Sequence, residues 1–186
     1  MQRHILTGAP GAGKTIVLRR LELAGHAVVE EAATDLIALA AASGIERHWE
    51  APSFIDDILA LQIARQRRAD AWPVEAVVFD RSPICTLALA RFLGCEPSPA
   101  LIAEIDRIRR ERVYERRVFF VEGLGFITPT QARQIRLEDS LRFGQVHVET
   151  YRELGYELAM IAPGPAEARA EAVRRAIEGA QPSERG

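Results

Sequence analysis

A single α/β domain built on a five-stranded parallel sheet, with helices on both faces, is the fold class that this 186-residue sequence predicts. Three observations predict it. Helical segments alternate with five short apolar runs, as in chains whose parallel strands are joined by crossover helices. Those runs are continuous rather than alternating, the pattern of strands covered on both sides. The length suffices for one sizeable core and is short for two.

The first run, Ile5-Leu6-Thr7, enters Gly8-Ala9-Pro10-Gly11-Ala12-Gly13-Lys14-Thr15, and a helical stretch over 16–24 follows, stopped by Gly25. Residues 26–29 read as a second strand ending at Glu30-Glu31. A helix over 32–42 stops at Ser43-Gly44, and 45–51, with His48 and Trp49, reads as an irregular connection. A long helix over 52–70 repeats apolar residues at helical spacing (Phe54, Ile55, Ile58, Leu59, Ile63), with Arg65, Arg67 and Arg68 near the end where cations suit the helix dipole. The third strand, 76–79, runs into Asp80-Arg81-Ser82-Pro83, where Ser82 suits an N-cap and Pro83 the first helical position. Glu96-Pro97-Ser98-Pro99 breaks the chain before a charged helix over 100–114. Strand four is 118–121, a glycine-containing loop covers 123–129, and a helix over 131–154 carries Arg133, Arg136 and Arg142 early in it. Strand five is 156–161, Pro163-Gly164-Pro165 turns the chain, and the last helix covers 166–179. The domain is thus expected over 1–179, with a lid around 122–142 and a flexible tail over 180–186.

Net charge is −2, from 24 Lys+Arg against 26 Asp+Glu, which gives no global attraction to nucleic acid or anionic membrane. Cys85 and Cys95 form no C-x-x-C pair and read as buried thiols in a reducing compartment, not a metal site. No apolar run approaches the ~18 residues of a membrane span and no leader is visible, so a cytoplasmic protein is expected.

The first loop matches G-x-x-x-x-G-K-[ST] between a strand and a helix, the context in which converging backbone N–H groups and a helix N-terminus cradle phosphates. Gly8, Ala9, Pro10, Gly11, Ala12 and Gly13 form that cradle. Lys14 is aimed at the terminal phosphates and the Thr15 hydroxyl at a magnesium ion, so Mg-ATP is the expected cofactor. Lys14 is the sole lysine of the sequence; arginine replaces lysine everywhere except where a compact point charge is needed. Asp80, at the end of an apolar strand, suits a carboxylate that holds magnesium, or else a helix N-terminal charge. Arg81 suits either a contact to a phosphate or substrate carboxylate or a surface ion pair. Glu31 is the candidate acceptor of a substrate hydroxyl proton, Glu30 and Glu31 serving otherwise as helix-dipole partners. Arg133, Arg136 and Arg142 suit a lid that brings positive charge to a phosphoryl group in transfer, or an exposed helix face salt-bridged to Glu138 and Asp139.

In these pieces the chain resembles the NadR-like P-loop kinases and their AAA-type ATPase relatives, close to nucleoside and nucleotide kinases. The matching segments are Gly8 through Thr15, Val28-Val29-Glu30-Glu31-Ala32, Val78-Phe79-Asp80-Arg81-Ser82-Pro83, Tyr114 through Val121, Arg136-Leu137-Glu138-Asp139 and Tyr151-Arg152-Glu153-Leu154-Gly155-Tyr156. The resemblance implies a three-layer fold with strand order 2-3-1-4-5, a Mg-ATP site, an acidic residue after strand two facing the acceptor, and a lid arginine at Arg136. It also implies that the long helix lines the acceptor pocket, making Phe54 and Gln62 candidate substrate contacts. Where such kinases often carry an acid after the D-R-x-P piece, this chain has Cys85-Thr86.

The expected activity is phosphoryl transfer from ATP to a hydroxyl of a nucleoside-like or other small metabolite. An ATPase, a nucleotide switch or a regulatory ATP-binding protein without an acceptor is the alternative. A water-activating ATPase wants a second acid after Asp80, and Arg81 stands there. A guanine-reading Asn-Lys-x-Asp element is excluded, since the sequence has no asparagine.

Overall fold

The computed structural model describes residues 1–123 and 136–179. Its elements are β1 Gln2–Thr7, α1 Lys14–Leu23, β2 Ala27–Val29, α2 Ala32–Ala42, a 3₁₀ turn His48–Glu50, α3 Phe54–Ala69, β3 Ala76–Asp80, α4 Pro83–Leu93, α5 Pro99–Glu111, β4 Arg117–Val121, α6 Leu137–Glu153, β5 Glu157–Ile161 and α7 Ala166–Glu178. The strands form one sheet in the order β2-β3-β1-β4-β5. Every pairing is parallel.

The alternation of side chains along each strand divides the core in two. Ile5, Val77, Phe79 and Val118 face α3 to α6, packing with Leu59, Ile84, Leu101, Ile105 and Tyr151. Their neighbours Leu6, Val78 and Phe119 face the other way, onto Val17, Leu18 and Leu21 of α1 and Val173 and Ile177 of α7. Burial of each such side chain contributes roughly 2 kcal/mol. A third cluster, Ala32, Phe54 and Ile58 with Leu36, Ile37 and Trp49, joins α2, α3 and the 3₁₀ turn beside the strand ends. Since all five strands run parallel, the loops after β1, β2 and β3 open at one edge, where sites form in such sheets.

Several sequence expectations shift. The strand expected over 5–7 begins at Gln2, because β1 lies between two partners and Gln2 already pairs with Ala76 of β3. The charged helix ends at Glu111, not 114: Arg112 turns to φ 49°, and the Val113 N–H returns to the Ile108 carbonyl. The connection over 45–51 contains the 3₁₀ turn. A continuous helix over 131–154 is not formed, since Arg136 is extended (φ −71°, ψ 158°) and α6 starts after it with Glu138 and Asp139 in its first turn, where their charge suits the dipole. Residues 131–135, and Arg133 with them, lie outside the described residues. Cys85 is buried as expected, but Cys95 is exposed: Gly94 caps α4 in the left-handed conformation and carries the next residue off the helix. Among the described residues no helix is long and apolar enough to cross a membrane.

Candidate active site

The loop between β1 and α1 carries its chemistry in the backbone. Gly8 and Gly13 have φ of 138° and 82°, conformations that side chains resist. At Gly8 a Cβ would also clash with the Val121 carbonyl at the end of β4. With Gly13 as N-cap, the first N–H groups of α1 are left without helical partners and converge on the loop. Lys14, buried, donates from Nζ to the Gly8 and Ala9 carbonyls, both at 3.1 Å, so its ammonium lies across the loop where phosphate oxygens would replace those acceptors.

Two contacts that the sequence did not disclose, one from α6 and one from α7, brace this loop. Ser140 of α6 donates its hydroxyl to the Pro10 carbonyl at 2.7 Å, and a Cβ on Gly144 would lie 3.2 Å from that of Ala9, a tight contact that glycine avoids. From α7, the buried Arg169 donates to the carbonyls of Ala12 at 2.5 Å and of Glu122 at 3.2 Å, tying the loop to the end of β4. Burial lowers the pKa of Arg169.

Glu31 and Arg81 meet across the ends of β2 and β3. Arg81 Nε donates to Glu31, and the Thr34 hydroxyl donates to the other carboxylate oxygen at 2.7 Å. Glu31 occupies the N-cap position of α2, yet its side chain makes no capping hydrogen bond. Its carboxylate is instead committed to Arg81 and Thr34. Glu30 points elsewhere, to Arg19 at the surface. Burial works to raise the Glu31 pKa, but the charges of Arg81 and Lys14 overcome it and hold the carboxyl at about 2. Arg81 is therefore ion-paired, and not at the surface: its side chain is 11% exposed. Its backbone sits at φ 72°, costly for a residue with a side chain, with its N–H on the Leu6 carbonyl. The other guanidinium contact, Nη1 to His147 Nε2 at 2.9 Å, had no counterpart in the sequence reading.

Asp80 is buried beneath these groups at the end of β3, in register with Leu6. Ser82 caps α4 through the Ile84 N–H, as expected, and also hydrogen-bonds the Tyr151 hydroxyl at 2.9 Å, which capping alone did not foresee.

A cavity of about 620 Å³ joins the two halves. Pro10, Gly11, Gly13, Lys14 and Thr15 line one side, with Glu31 and Arg81 beside them. Phe54 and Gln62 of α3 line the other, together with Trp49 and Phe92. Gln62 accepts the Thr86 hydroxyl at 2.8 Å, so the residues that follow the D-R-x-P piece do face this space. Arg136 is exposed at the start of α6, one turn before Ser140, and is not part of the lining. Arg142 is drawn away over the Phe92 ring, 4.7 Å from its centroid, and toward Asp139. A larger hollow, about 860 Å³, lies at the opposite end of the sheet around Arg109, Arg112, Tyr114 and Tyr156, where β4 and β5 begin.

A phosphate-cradling loop between β1 and α1, in a parallel sheet of this order with helices on both faces, defines a three-layer P-loop NTPase. Residues 3–169 match the family described as an AAA domain, and the chain belongs to that family. Among solved structures it is similar to NadR protein in complex with NR, at 17% identity and a TM-score of 0.68, covering 97% of this chain and 52% of that one. It is also similar to deoxyadenosine kinase from M. mycoides with products dCMP and dCDP bound, at 14% identity and a TM-score of 0.60, covering 96% of this chain and 100% of that one. Shikimate kinase from Acinetobacter baumannii in complex with shikimate is a third, at 14% identity and a TM-score of 0.56, covering 98% and 96%. The chain thus spans about half the length of the NadR chain. At these identities the likeness is one of fold, that of P-loop kinases. No protein of curated function matches the chain.

Proposed function

We propose that the chain is a Mg-ATP-dependent phosphotransferase that moves the γ-phosphoryl group to a hydroxyl of a small, uncharged, nucleoside-like metabolite. The observation that carries this reading is that the phosphate loop with Lys14, and the Glu31–Arg81 pair, face one cavity. On the ATP side, Gly8 to Gly13 cradle the phosphates and Lys14 spans their terminal oxygens. The Thr15 hydroxyl and the Asp80 carboxylate are hard oxygen donors that fit magnesium, which usually takes one or two protein ligands and completes its shell with phosphate and water. When bound there, the ion would supply neutralisation of the phosphate charge. Arg136, which does not line the cavity in this structure, and Arg133 are the arginines proposed to meet the developing charge during transfer.

In the transfer step the acceptor oxygen bonds to the γ-phosphorus, the bond from phosphorus to the β-phosphate oxygen breaks, and ADP leaves. The hydroxyl proton passes to the Glu31 carboxylate. A carboxyl held at about 2 is a weak base. Glu31 therefore orients the hydroxyl throughout and takes its proton late, as a loose, metaphosphate-like transition state permits. Beyond Glu31 the lining is largely apolar, with Ile37, Trp49, Phe54, Ile58 and Leu89 around the Gln62–Thr86 pair. Arg81 is already neutralised by Glu31, so an acceptor carrying a carboxylate or phosphate would be buried there without a counter-charge.

The test is incubation of the protein with Mg-ATP and pooled nucleosides, nucleotides, carboxylic-acid alcohols and neutral alcohols, followed by mass spectrometry. Phosphorylation of neutral, nucleoside-like members is expected. Tight ATP binding with no phosphorylated product from any pool would overturn the reading in favour of a regulatory ATP-binding protein.

A further inference from the structure

His147 is fully buried on α6, and both of its ring nitrogens are engaged. Nδ1 lies 2.9 Å from the Phe143 carbonyl, an acceptor only, so Nδ1 carries the proton and donates it. Nε2 is then bare. It faces Arg81 Nη1 at 2.9 Å and accepts from it. The tautomer is thus fixed by the helix's own backbone, and the lone pair is aimed at a guanidinium that lines the cavity. Phe143 closes the arrangement, its ring lying 6.0 Å below the Arg81 guanidinium carbon and 4.3 Å from the His147 ring.

A buried histidine is often only a satisfied core side chain. Two observations ask more of this one. Its partner is a charged group whose Nε is committed to Glu31, and that same residue holds a left-handed backbone which something must over-determine. With Nε on Glu31 and Nη1 on His147, the guanidinium is held at two points, which fixes its plane at the cavity wall.

We propose that His147 is a positioning residue: acting through Arg81, it fixes the direction in which the Glu31 carboxylate meets an acceptor, so that α6 sets the acceptor side of the site while its Ser140 and Gly144 brace the phosphate loop. Because this geometry exists without substrate, it rests on the kinase reading for its kinetic consequence alone.

The experiment pairs spectroscopy with kinetics. In protein labelled with ¹⁵N at histidine and arginine, His147 shows the Nδ1–H tautomer, and the Arg81 Nε–H signal exchanges slowly with solvent. In His147→Leu that signal broadens or is lost, and in His147→Gln, whose amide oxygen can reach the Nε2 position, it returns. With an acceptor in hand, His147→Leu lowers kcat/KM for the acceptor on the order of 10- to 100-fold, the scale on which small misplacements cost rate, at an unchanged KM for ATP. His147→Gln recovers most of the loss. An Nε2–H tautomer in the wild-type protein overturns the proposal even if His147→Leu does not fold. So does an Arg81 signal indifferent to His147→Leu. If the wild-type protein phosphorylates no acceptor, the kinase reading fails while the spectra still decide the role of His147.

Discussion

Glu31 and Asp80 end neighbouring strands, and their surroundings separate their work. Asp80 is buried beside β1, whereas Glu31 is held at the cavity wall by Arg81 and Thr34. Removing them should therefore fail differently. Glu31→Gln is expected to spare Mg-ATP binding and slow background hydrolysis, and to cost on the order of 10²–10⁴-fold in phosphorylation of the acceptor. Asp80→Asn should depress every magnesium-dependent event, hydrolysis included. ADP release by both variants, with and without acceptor, checks this, and loss of acceptor-free hydrolysis in Glu31→Gln would count for a water-activating ATPase. The phosphate loop was legible at this scale because it is a local device whose strand, glycines and lysine are consecutive in sequence. His147 was not legible, because its value depends on Arg81, 66 residues earlier. The one available signal was the spacing of Ser140, Phe143, Gly144, His147 and Tyr151, which places them on a single face of α6.

At the scale of elements, α6 touches more of the site than any motif suggested. Its charged, arginine-bearing start reads as an exposed lid, yet the next turns pack on the phosphate loop and on Arg81. Gly144 eases that approach. Gly144→Ala should be mild, since the helix gains up to about 1 kcal/mol in propensity while the contact with Ala9 tightens. Gly144→Val has no such compensation, and overpacking of this kind costs about 1–3 kcal/mol. It is expected to weaken ATP binding on the order of tenfold, about 1.4 kcal/mol. Calorimetric titration with a non-hydrolysable ATP analogue checks it, and unchanged affinity would show that the loop can shift freely. The strand count and most helices were readable from apolar runs and caps. The helix ends at 111 and 137 were missed, because the first is set by a left-handed turn at an arginine and the second by extended backbone at Arg136.

For the molecule as a whole, the two-sided core carries a polar misfit in β1. His4 stands in mid-β1, 3% exposed, with neither ring nitrogen hydrogen-bonded among the described residues. Burial, with some help from His26, lowers its pKa from 6.5 to about 4. Between those values the unfolded chain holds the extra proton. His4 therefore leaves stability intact above pH 6.5 and erodes it as pH falls toward 4. Glu31 follows lower down: the stabilisation from its ion pair is present above 4.5 and is lost as pH falls toward 2. Melting temperature against pH should thus decline in two stages. His4→Leu is expected to reduce the first stage without abolishing it, because burial and the Arg81 charge also hold His147 well below 6.5 and its share remains, and to raise the plateau, since a polar group buried without a partner costs about 1–3 kcal/mol. An unchanged slope between pH 6.5 and 4 would assign that loss to other groups.

The sole lysine has a consequence outside catalysis. In these 186 residues, the bond after Lys14 is the one peptide bond that a lysine-directed endoprotease can cut, and it lies in the first turn of α1 under the loop, with Lys14 6% exposed. Cleavage then requires the loop to open locally, so its rate counts how often the nucleotide cradle comes apart, with no probe attached. ATP should slow that single cut in proportion to its occupancy, and the two fragments, of 14 and 172 residues, would be seen directly by mass. Cutting at a rate indifferent to saturating ATP would mean that the nucleotide does not hold the loop closed.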